Sequence, residues 1–198
     1  MATPIPVPLG LTKWGTLNVT IRGVTPLLMH NPSQMRRGEA LGRKEIPTPE
    51  AEAETSLYRT AGGDLYIKAD HVRESIKSAS IGTRIGRKAA KPILAAALTE
   101  HPEHPFFILH RDGQPIRSWE IDTRRAVVQR NGILRSRAVI PCPWEAECVF
   151  QFDRAVIAPE IIVTLLGQAG QTAGLLDYRP AKGGSFGRFE VVEASAEE

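Results

Sequence analysis

The chain has 198 residues, 42% of them hydrophobic and 24% charged, with a formal net charge of +3 at pH 7. That length suits one domain with a core large enough to need no disulfide or metal staple. Cys142 and Cys148 cannot build a disulfide framework or a zinc knuckle, and no apolar run approaches the ~18 residues a membrane span needs. Both cysteines read as small hydrophobes in a reducing compartment, and residues 1–11 lack a signal-peptide pattern, so a cytoplasmic protein is expected. The net charge hides a split. Glu190, Glu193, Glu197 and Glu198 follow or flank the last cation, Arg188, leaving a basic body and an acidic tail at 193–198. A basic body raises the expectation of a polyanionic partner.

Pro4, Pro6 and Pro8 make the first stretch extended. Thr16–Val24 alternates Leu17, Val19 and Ile21 with Asn18, Thr20 and Arg22, the period of a half-buried strand. A short apolar patch, Leu27-Leu28-Met29-His30, ends at Asn31-Pro32. Residues from about 33 to 60 read as a mobile basic arm carrying Arg36, Arg37, Arg43 and Lys44. Within the arm, Thr48-Pro49-Glu50 starts a helix with a thin apolar stripe, expected on the outside. Asp64–Lys68 is a short strand, and Asp70 is expected to cap a helix through Ala79. Thr83–Lys91 is basic and broken by glycine, and Ile93–Leu98 suits a helix or a buried strand equally.

Phe106–His110 is a strand turned by Asp112-Gly113, and Ile116–Ile121 is a further strand candidate. Arg124–Gln129 and Ile133–Ile140 flank Asn131-Gly132, a hairpin signal with a type I′ turn. Trp144–Asp153 alternates cleanly, with Trp144, Ala146, Cys148, Phe150 and Phe152 on one side. Pro159-Glu160 opens the last helix, with Ile162, Leu165, Leu166 and Ala169 as its stripe and Gly174 at its end. A glycine-rich loop and a strand over Phe186–Val192 follow. The trimmed order is β-α-β-β-α-β, so an α+β, ferredoxin-like and RRM-like core is expected, with an inserted arm and a β-hairpin thumb.

Three features carry chemistry. The first is a pair of basic runs. One holds Lys77, Arg84, Arg87, Lys88 and Lys91, and the other holds Arg124, Arg125, Arg130, Arg135 and Arg137. Guanidinium groups grip phosphate bidentately and stack on bases, so these runs, with Arg36, Arg37 and Lys44 of the arm, are candidate nucleic-acid contacts. The second is the loop Lys182-Gly183-Gly184-Ser185-Phe186-Gly187-Arg188. Its glycines let backbone N–H groups approach an anion, Lys182 and Arg188 flank them, and Phe186 offers a stacking ring. It runs from helix to strand, so it is not a Walker or dinucleotide loop. The third is histidine. His101-x-x-His104 lies in a proline-broken loop without further evident ligands, and His30 near the arm has the chemistry of an acid or base in RNA cleavage. No nucleophile elbow or HExxH pair is present, so no catalytic residue, cofactor or metal is expected.

Leu65-Tyr66-Ile67-Lys68-Ala69-Asp70-His71-Val72-Arg73-Glu74-Ser75-Ile76 resembles the strand-to-helix signature of the RAMP superfamily. Gly174–Pro180 and Gly183–Val191 resemble that superfamily's closing glycine-rich loop and strand. Ile21–Asn31 is similar to the first strand of a group of small bacteriophage proteins that share these motifs. Lys68 stands where the superfamily usually has proline, which fits a stand-alone phage relative. The resemblance implies one RAMP-like domain over 1–198 that binds single-stranded DNA or RNA, often as a homo-oligomer or filament. It favours non-catalytic coating of DNA during phage replication or recombination, in the host cytoplasm and away from membranes. The alternative it leaves is a metal-independent endoribonuclease or a guide-RNA-binding subunit.

Overall fold

The computed structural model describes residues 13–34, 47–128 and 131–197. Strand β1 (Trp14–Gly23) buries Leu17, Val19 and Ile21, and after a bend at Val24–Pro26 the short β2 (Leu27–Leu28) follows. Helix α1 (Pro49–Glu54) is capped as its sequence predicts, with the Ala51 N–H donating to Thr48 Oγ1. Strand β3 (Tyr66–Lys68) runs into α2 (Ala69–Ala79), then β4 (Arg84–Ile85) and β5 (Lys88–Ala89) form a small hairpin before α3 (Ala90–Ala97). The ambiguous apolar run resolves into both alternatives, a helix and then β6 (Leu98–Glu100). Next come β7 (Phe106–Arg111), β8 (Gln114–Pro115), the long hairpin β9 (Glu120–Val128) and β10 (Asn131–Ile140), β11 (Glu145–Asp153), α4 (Pro159–Thr172) and β12 (Phe189–Glu197). Residues 116–119, within the further strand candidate, stay outside any strand.

The main sheet has the order β12-β1-β11-β7-β3, with β6 beside the far end of β11 and β8 beside β7. With β3 set aside, that is the antiparallel ferredoxin order, and the α+β expectation holds. Leu17 pairs Phe150 and Ile21 pairs Ala146, so the alternating apolar residues of β1 and β11 point to one face. Helices α2, α3 and α4 cover that face, and Val72, Ile76, Leu94, Ile162, Leu165 and Leu166 join one continuous core. Burying such side chains contributes about 1.5–3 kcal/mol each. Where α4 meets β12 the approach is close enough to demand glycine. A Cβ on Gly170 would stand 1.9 Å from the Phe189 carbonyl oxygen.

A second, three-stranded sheet of β2, β10 and β9 carries the projecting hairpin. Its connection differs from expectation. Asn131 pairs Val128 and Gly132 pairs Val127, so both belong to the β9–β10 ladder rather than to its turn, and residues 129–130 lie outside the described residues.

Other expectations are corrected too. Helix α1, expected on the outside of a mobile arm, packs against β10, and Ala53, Ser56, Leu57 and Tyr58 are buried. The part of the arm from 48 onward is therefore a fixed support, and residues 35–46 lie outside the described residues. The acidic end is not a tail. Glu193 pairs Thr20, Ser195 pairs Asn18 and Glu197 pairs Thr16, so it completes the edge strand. Asp70 sits inside the first turn of α2, whose N-cap is Lys68, and the His71 Nδ1 accepts the Lys68 N–H at 3.3 Å. Cys148 is buried, but Cys142 is exposed. Among the described residues no helix is long and apolar enough to cross a membrane.

Candidate nucleic-acid interface

The open face of the main sheet is mixed. Along the two central strands it presents Trp14, Thr16, Asn18, Thr20 and Arg22 of β1 and Glu145, Glu147, Val149 and Gln151 of β11, with Trp14 exposed at the start of β1. RRM domains stack bases on aromatics of their central strands. Here that face carries carboxylates, and Arg22 is paired with Glu145 at 2.7 Å. The fold is ferredoxin-like, and the exposed aromatics of this sheet, Trp14 and Phe106, stand at the starts of β1 and β7 rather than in the middle of the central strands.

The glycine-rich loop between α4 and β12 is built instead as a rigid element. Gly174 closes α4 at φ 69°, its N–H donating to the Ala169 carbonyl at 2.8 Å, while its own carbonyl accepts from Ser75 Oγ at 2.9 Å. The two limbs of the loop are laced together: Leu175 N–H to Gly187 O at 2.9 Å, Phe186 N–H to Tyr178 O at 3.1 Å, Gly184 N–H to Arg179 O at 3.0 Å. It is also tied to the segment after β1, with Gly187 N–H donating to Pro26 O at 2.8 Å and Asp177 N–H to Leu28 O at 3.1 Å. Tyr178, at φ 49°, holds a backbone conformation that costs a non-glycine residue about 1–2 kcal/mol. The strained turn lifts its ring into solvent, 45% exposed.

Arg124 of β9 reaches this loop. Its guanidinium carbon lies 4.6 Å from the Tyr178 ring centroid and 4.7 Å from that of Phe186, and the two rings meet edge to face at 6.1 Å. Asp122 accepts two short hydrogen bonds from Arg124 and fixes the guanidinium plane, and this bonding raises the Arg124 pKa above its usual value. A flat cation and two aromatic rings thus form one platform on the seam between hairpin and loop.

Around the platform the other expected residues fall into three groups. Lys182 is exposed in the same loop, and Arg125 is exposed on β9, where strand alternation turns it to the opposite face from Arg124. Arg135 and Arg137 share a face of β10, and that face turns inward. Arg135 Nη1 donates to Glu52 at 3.0 Å, and Arg137 lies 3.1 Å from the Asp177 carboxylate. Arg188 donates to the Gln171 carbonyl at the end of α4. Arg84, Arg87, Lys88 and Lys91 are exposed on a separate surface, since the β4–β5 hairpin lies along Glu160, Thr164 and Gln168 of α4, a helix about 20 Å long. Lys77 is paired with Glu74. Arg36, Arg37, Lys44 and Arg130 lie outside the described residues.

Tyr178, Asp122, Glu52 and Asp177 were not singled out as site residues in the sequence. The pairing of Arg135 with Glu52 spans 83 positions, so no local pattern announces it.

The histidines divide. His30 is half-buried, and burial is the main force holding its pKa below the usual value, with Arg137 and Arg135 acting the same way and Asp177 opposing them. Burial, Lys68, Arg179 and His30 push His71 down to about 4. Both imidazoles are neutral near pH 7, a form that accepts protons rather than donating from an imidazolium. His101 and His104 gain a companion the sequence reading overlooked. With Glu103 their ligand atoms lie within 4.8 Å of one another. The His101 Nδ1 there already accepts the Glu103 N–H at 3.2 Å.

No family model matches this sequence, and no curated protein matches it. A solved structure does. A chain from the cryo-EM structure of the Type III-B Cmr-beta bound to cognate target RNA matches with a TM-score of 0.59 at 12% identity. The fold is shared with that chain. The match covers 94% of the present chain and 61% of the Cmr-beta chain, so the present chain spans less than two thirds of its neighbour's length. At this identity the likeness is one of architecture.

Proposed function

We propose that this protein binds single-stranded nucleic acid, without cleaving it, along the seam between the glycine-rich loop and the β9–β10 hairpin. The observation that carries the reading is the Arg124–Tyr178–Phe186 platform, in which an exposed Tyr178 ring and the partly buried Arg124 and Phe186 are held by a hydrogen-bonded loop. Every base has a π-face, so such a platform takes a strand with little sequence preference. Lys182, exposed in the same loop as Tyr178 and Phe186, and Arg125, exposed on the same strand as Arg124, add positive charge to these two elements. The architecture shared with a chain from an RNA-bound complex supports the same class of partner. The RAMP-like motifs support a stand-alone phage relative that coats DNA as an oligomer, with DNA preferred over RNA. His30, neutral and enclosed, is in this reading a structural neighbour of the Arg137–Asp177 pair rather than a nuclease residue.

Fluorescence anisotropy with labelled single-stranded DNA, single-stranded RNA and duplex DNA tests this directly. Neutralising ~5 phosphates per subunit gives a log–log salt slope of roughly −3.5 on single strands. Tyr178→Ala should weaken binding by about 1–3 kcal/mol while the melting temperature falls by only a few degrees, the cost of its ring contacts with Arg124 and Phe186. Arg87→Ala with Lys88→Ala is the matched charge control on the far surface. An equal loss there would make net charge, not the platform, responsible. Absence of binding to every single strand at low salt would refute the reading.

A further inference from the structure

Strands β6 and β7 lie along the same edge of β11, yet they do not share one register. Glu100 faces Phe150 and Leu109 faces Ala146, five residues later than an unbroken antiparallel run from β6 would bring it. The surplus falls at the link between the two strands, where residues 101–105 read His-Pro-Glu-His-Pro. These residues add no rung to the sheet. They build a small turn held on a rigid frame, the setting in which loops carry function.

The His104 N–H donates to the His101 carbonyl at 3.0 Å and closes a β-turn. Pro102 presets φ at the second position of the turn, and Pro105 restricts His104 to extended backbone. The Pro105 carbonyl accepts the Ala69 N–H at 3.0 Å, which ties the turn to the start of α2. The histidines are the first and last residues of the turn, so their side chains leave the chain as neighbours. Their ring centroids stand 5.0 Å apart, with the planes tilted by 49°. Glu103 lies between them in the chain, and the ligand atoms of the three side chains fall within 4.8 Å of one another. His101 is half-buried, and Glu103 and His104 are exposed.

This donor set selects its ligand. Two imidazole nitrogens and a carboxylate oxygen suit a divalent transition metal such as Zn²⁺, bonded at ~2.0–2.2 Å. Calcium and magnesium call for shells of oxygen. At those bond lengths two ligand atoms on a tetrahedral ion stand roughly 3.3 Å apart. Drawing the three groups together needs side-chain rotation at the surface and no change of backbone. One bond is exchanged: the His101 Nδ1 accepts the Glu103 N–H at 3.2 Å. A neutral imidazole offers one lone pair, so ligation through either nitrogen of His101 gives up this bond. It is long for an N–H···O or N–H···N bond, and on an exposed turn water can replace it.

We propose that the His101–His104 turn binds one divalent transition-metal ion of the zinc class, held by the imidazoles of His101 and His104 and the carboxylate of Glu103, with water in the remaining position. The ion pins the junction between β6 and β7, and the site is independent of the nucleic-acid seam.

Calorimetric titration of the untagged full chain with ZnCl₂ tests this, with MgCl₂ as the oxygen-seeking control. One Zn²⁺ per chain should bind saturably, and excess Mg²⁺ should not displace it. His101→Ala and His104→Ala should each weaken Zn²⁺ at least ~10-fold, since losing even an outer partner of a ligand costs roughly 10- to 100-fold. Glu103→Ala should weaken it too. His110→Ala and Cys142→Ser, which remove soft donors elsewhere, should bind as wild type. Zn²⁺ should raise the wild-type melting temperature and leave the His101→Ala, His104→Ala double variant unmoved. Without metal that double variant should melt as wild type; where it does not, His101→Gln and His104→Gln replace it in the titration. Wild-type protein that takes up no Zn²⁺ at millimolar concentration overturns the proposal. Binding that survives in the double variant overturns it as well, because the ligands would lie elsewhere. Unchanged affinity in Glu103→Ala overturns the three-ligand assignment.

Discussion

Replacing Glu52 by alanine should loosen the hairpin from the domain. Its carboxylate accepts from Arg135 Nη1 at 3.0 Å and from the Ser136 N–H at 2.9 Å, at a site where the Glu52 and Arg135 side chains are only 15% and 23% exposed. Hydrogen bonds to a charged group contribute about 1.5–3 kcal/mol each, and the two share one carboxylate, so they do not add fully. Glu52→Ala also takes a carboxylate away from the largely buried Arg135 guanidinium. The expected loss is about 2–4 kcal/mol, or roughly 5–15 °C in melting temperature for a domain of this size. Glu52→Gln keeps an oxygen for the Ser136 N–H and should recover about half of that. In a double-mutant cycle with Arg135→Ala, read by urea denaturation, the coupling should be about 1–3 kcal/mol. A Glu52→Ala protein within ~0.5 kcal/mol of wild type would mean α1 does not anchor the hairpin, and Arg135 would return to the surface as a candidate phosphate contact.

His71 makes stability pH-dependent: its folded pKa of about 4 lies below the usual 6.5, so the unfolded chain holds more protons between those values. Its contribution, roughly 3 kcal/mol, should be complete above pH 6.5 and lost as pH falls from 6.5 to 4. His71→Gln preserves an acceptor for the Lys68 N–H and should flatten that part of a urea-midpoint series; an unchanged slope would place the titrating group elsewhere. Gly187 and Gly183 share a left-handed φ, 70° and 77°, but a Cβ on Gly187 would stand 2.1 Å from Leu175 O whereas Gly183 has nothing within 4 Å. Gly187→Ala should therefore cost about 3–5 kcal/mol against about 1 for Gly183→Ala, and equal thermal shifts would contradict the packing described. Truncation after Glu193 removes the pairing of Ala194 with Val19 and of Glu197 with Thr16, so calorimetry should show a melting temperature lowered by several degrees. An unchanged melt would mean that the end of β12 contributes no stability.

Where a residue's role depends on its own periodicity, the sequence was readable. Leu17, Val19 and Ile21, the set from Trp144 to Phe152, and Ile162, Leu165 and Leu166 were all placed in the core by alternation or helical spacing, and all are buried. Roles that depend on a distant partner were not readable. Alternation puts Arg135 and Arg137 on one face of their strand, but nothing near them in the chain shows that Glu52 and Asp177 meet that face. The end of β12 misled for a related reason. An edge strand with Glu193, Ser195 and Glu197 solvated has no apolar alternation, so it reads as a polar tail until β1 is seen to lie beside it. At Asn131-Gly132 a strong local turn preference lost to the β9–β10 ladder, in which both residues pair with β9. Tyr178 carries no sequence signal beyond its place in a glycine-rich stretch. Its importance comes from a left-handed backbone and from Arg124, which reaches it from β9.

The pairing of β1 has a consequence for how the chain is made. Both neighbours of this strand come late: Arg22 pairs Glu145 on one side and Glu190 on the other. At ribosomal rates of ~5–20 residues per second, β1 leaves the exit tunnel roughly 6–24 s before its first partner. Over that time its apolar side chains, Leu17, Val19 and Ile21, have no sheet to join, while the β9–β10 hairpin, joined by two residues, can close within microseconds of emerging. The nascent protein therefore carries an unpaired hydrophobic strand through most of its synthesis, the kind of segment that trigger-type chaperones cover. Crowded expression or a slowed ribosome should raise the insoluble fraction more than the stability of the finished fold would suggest.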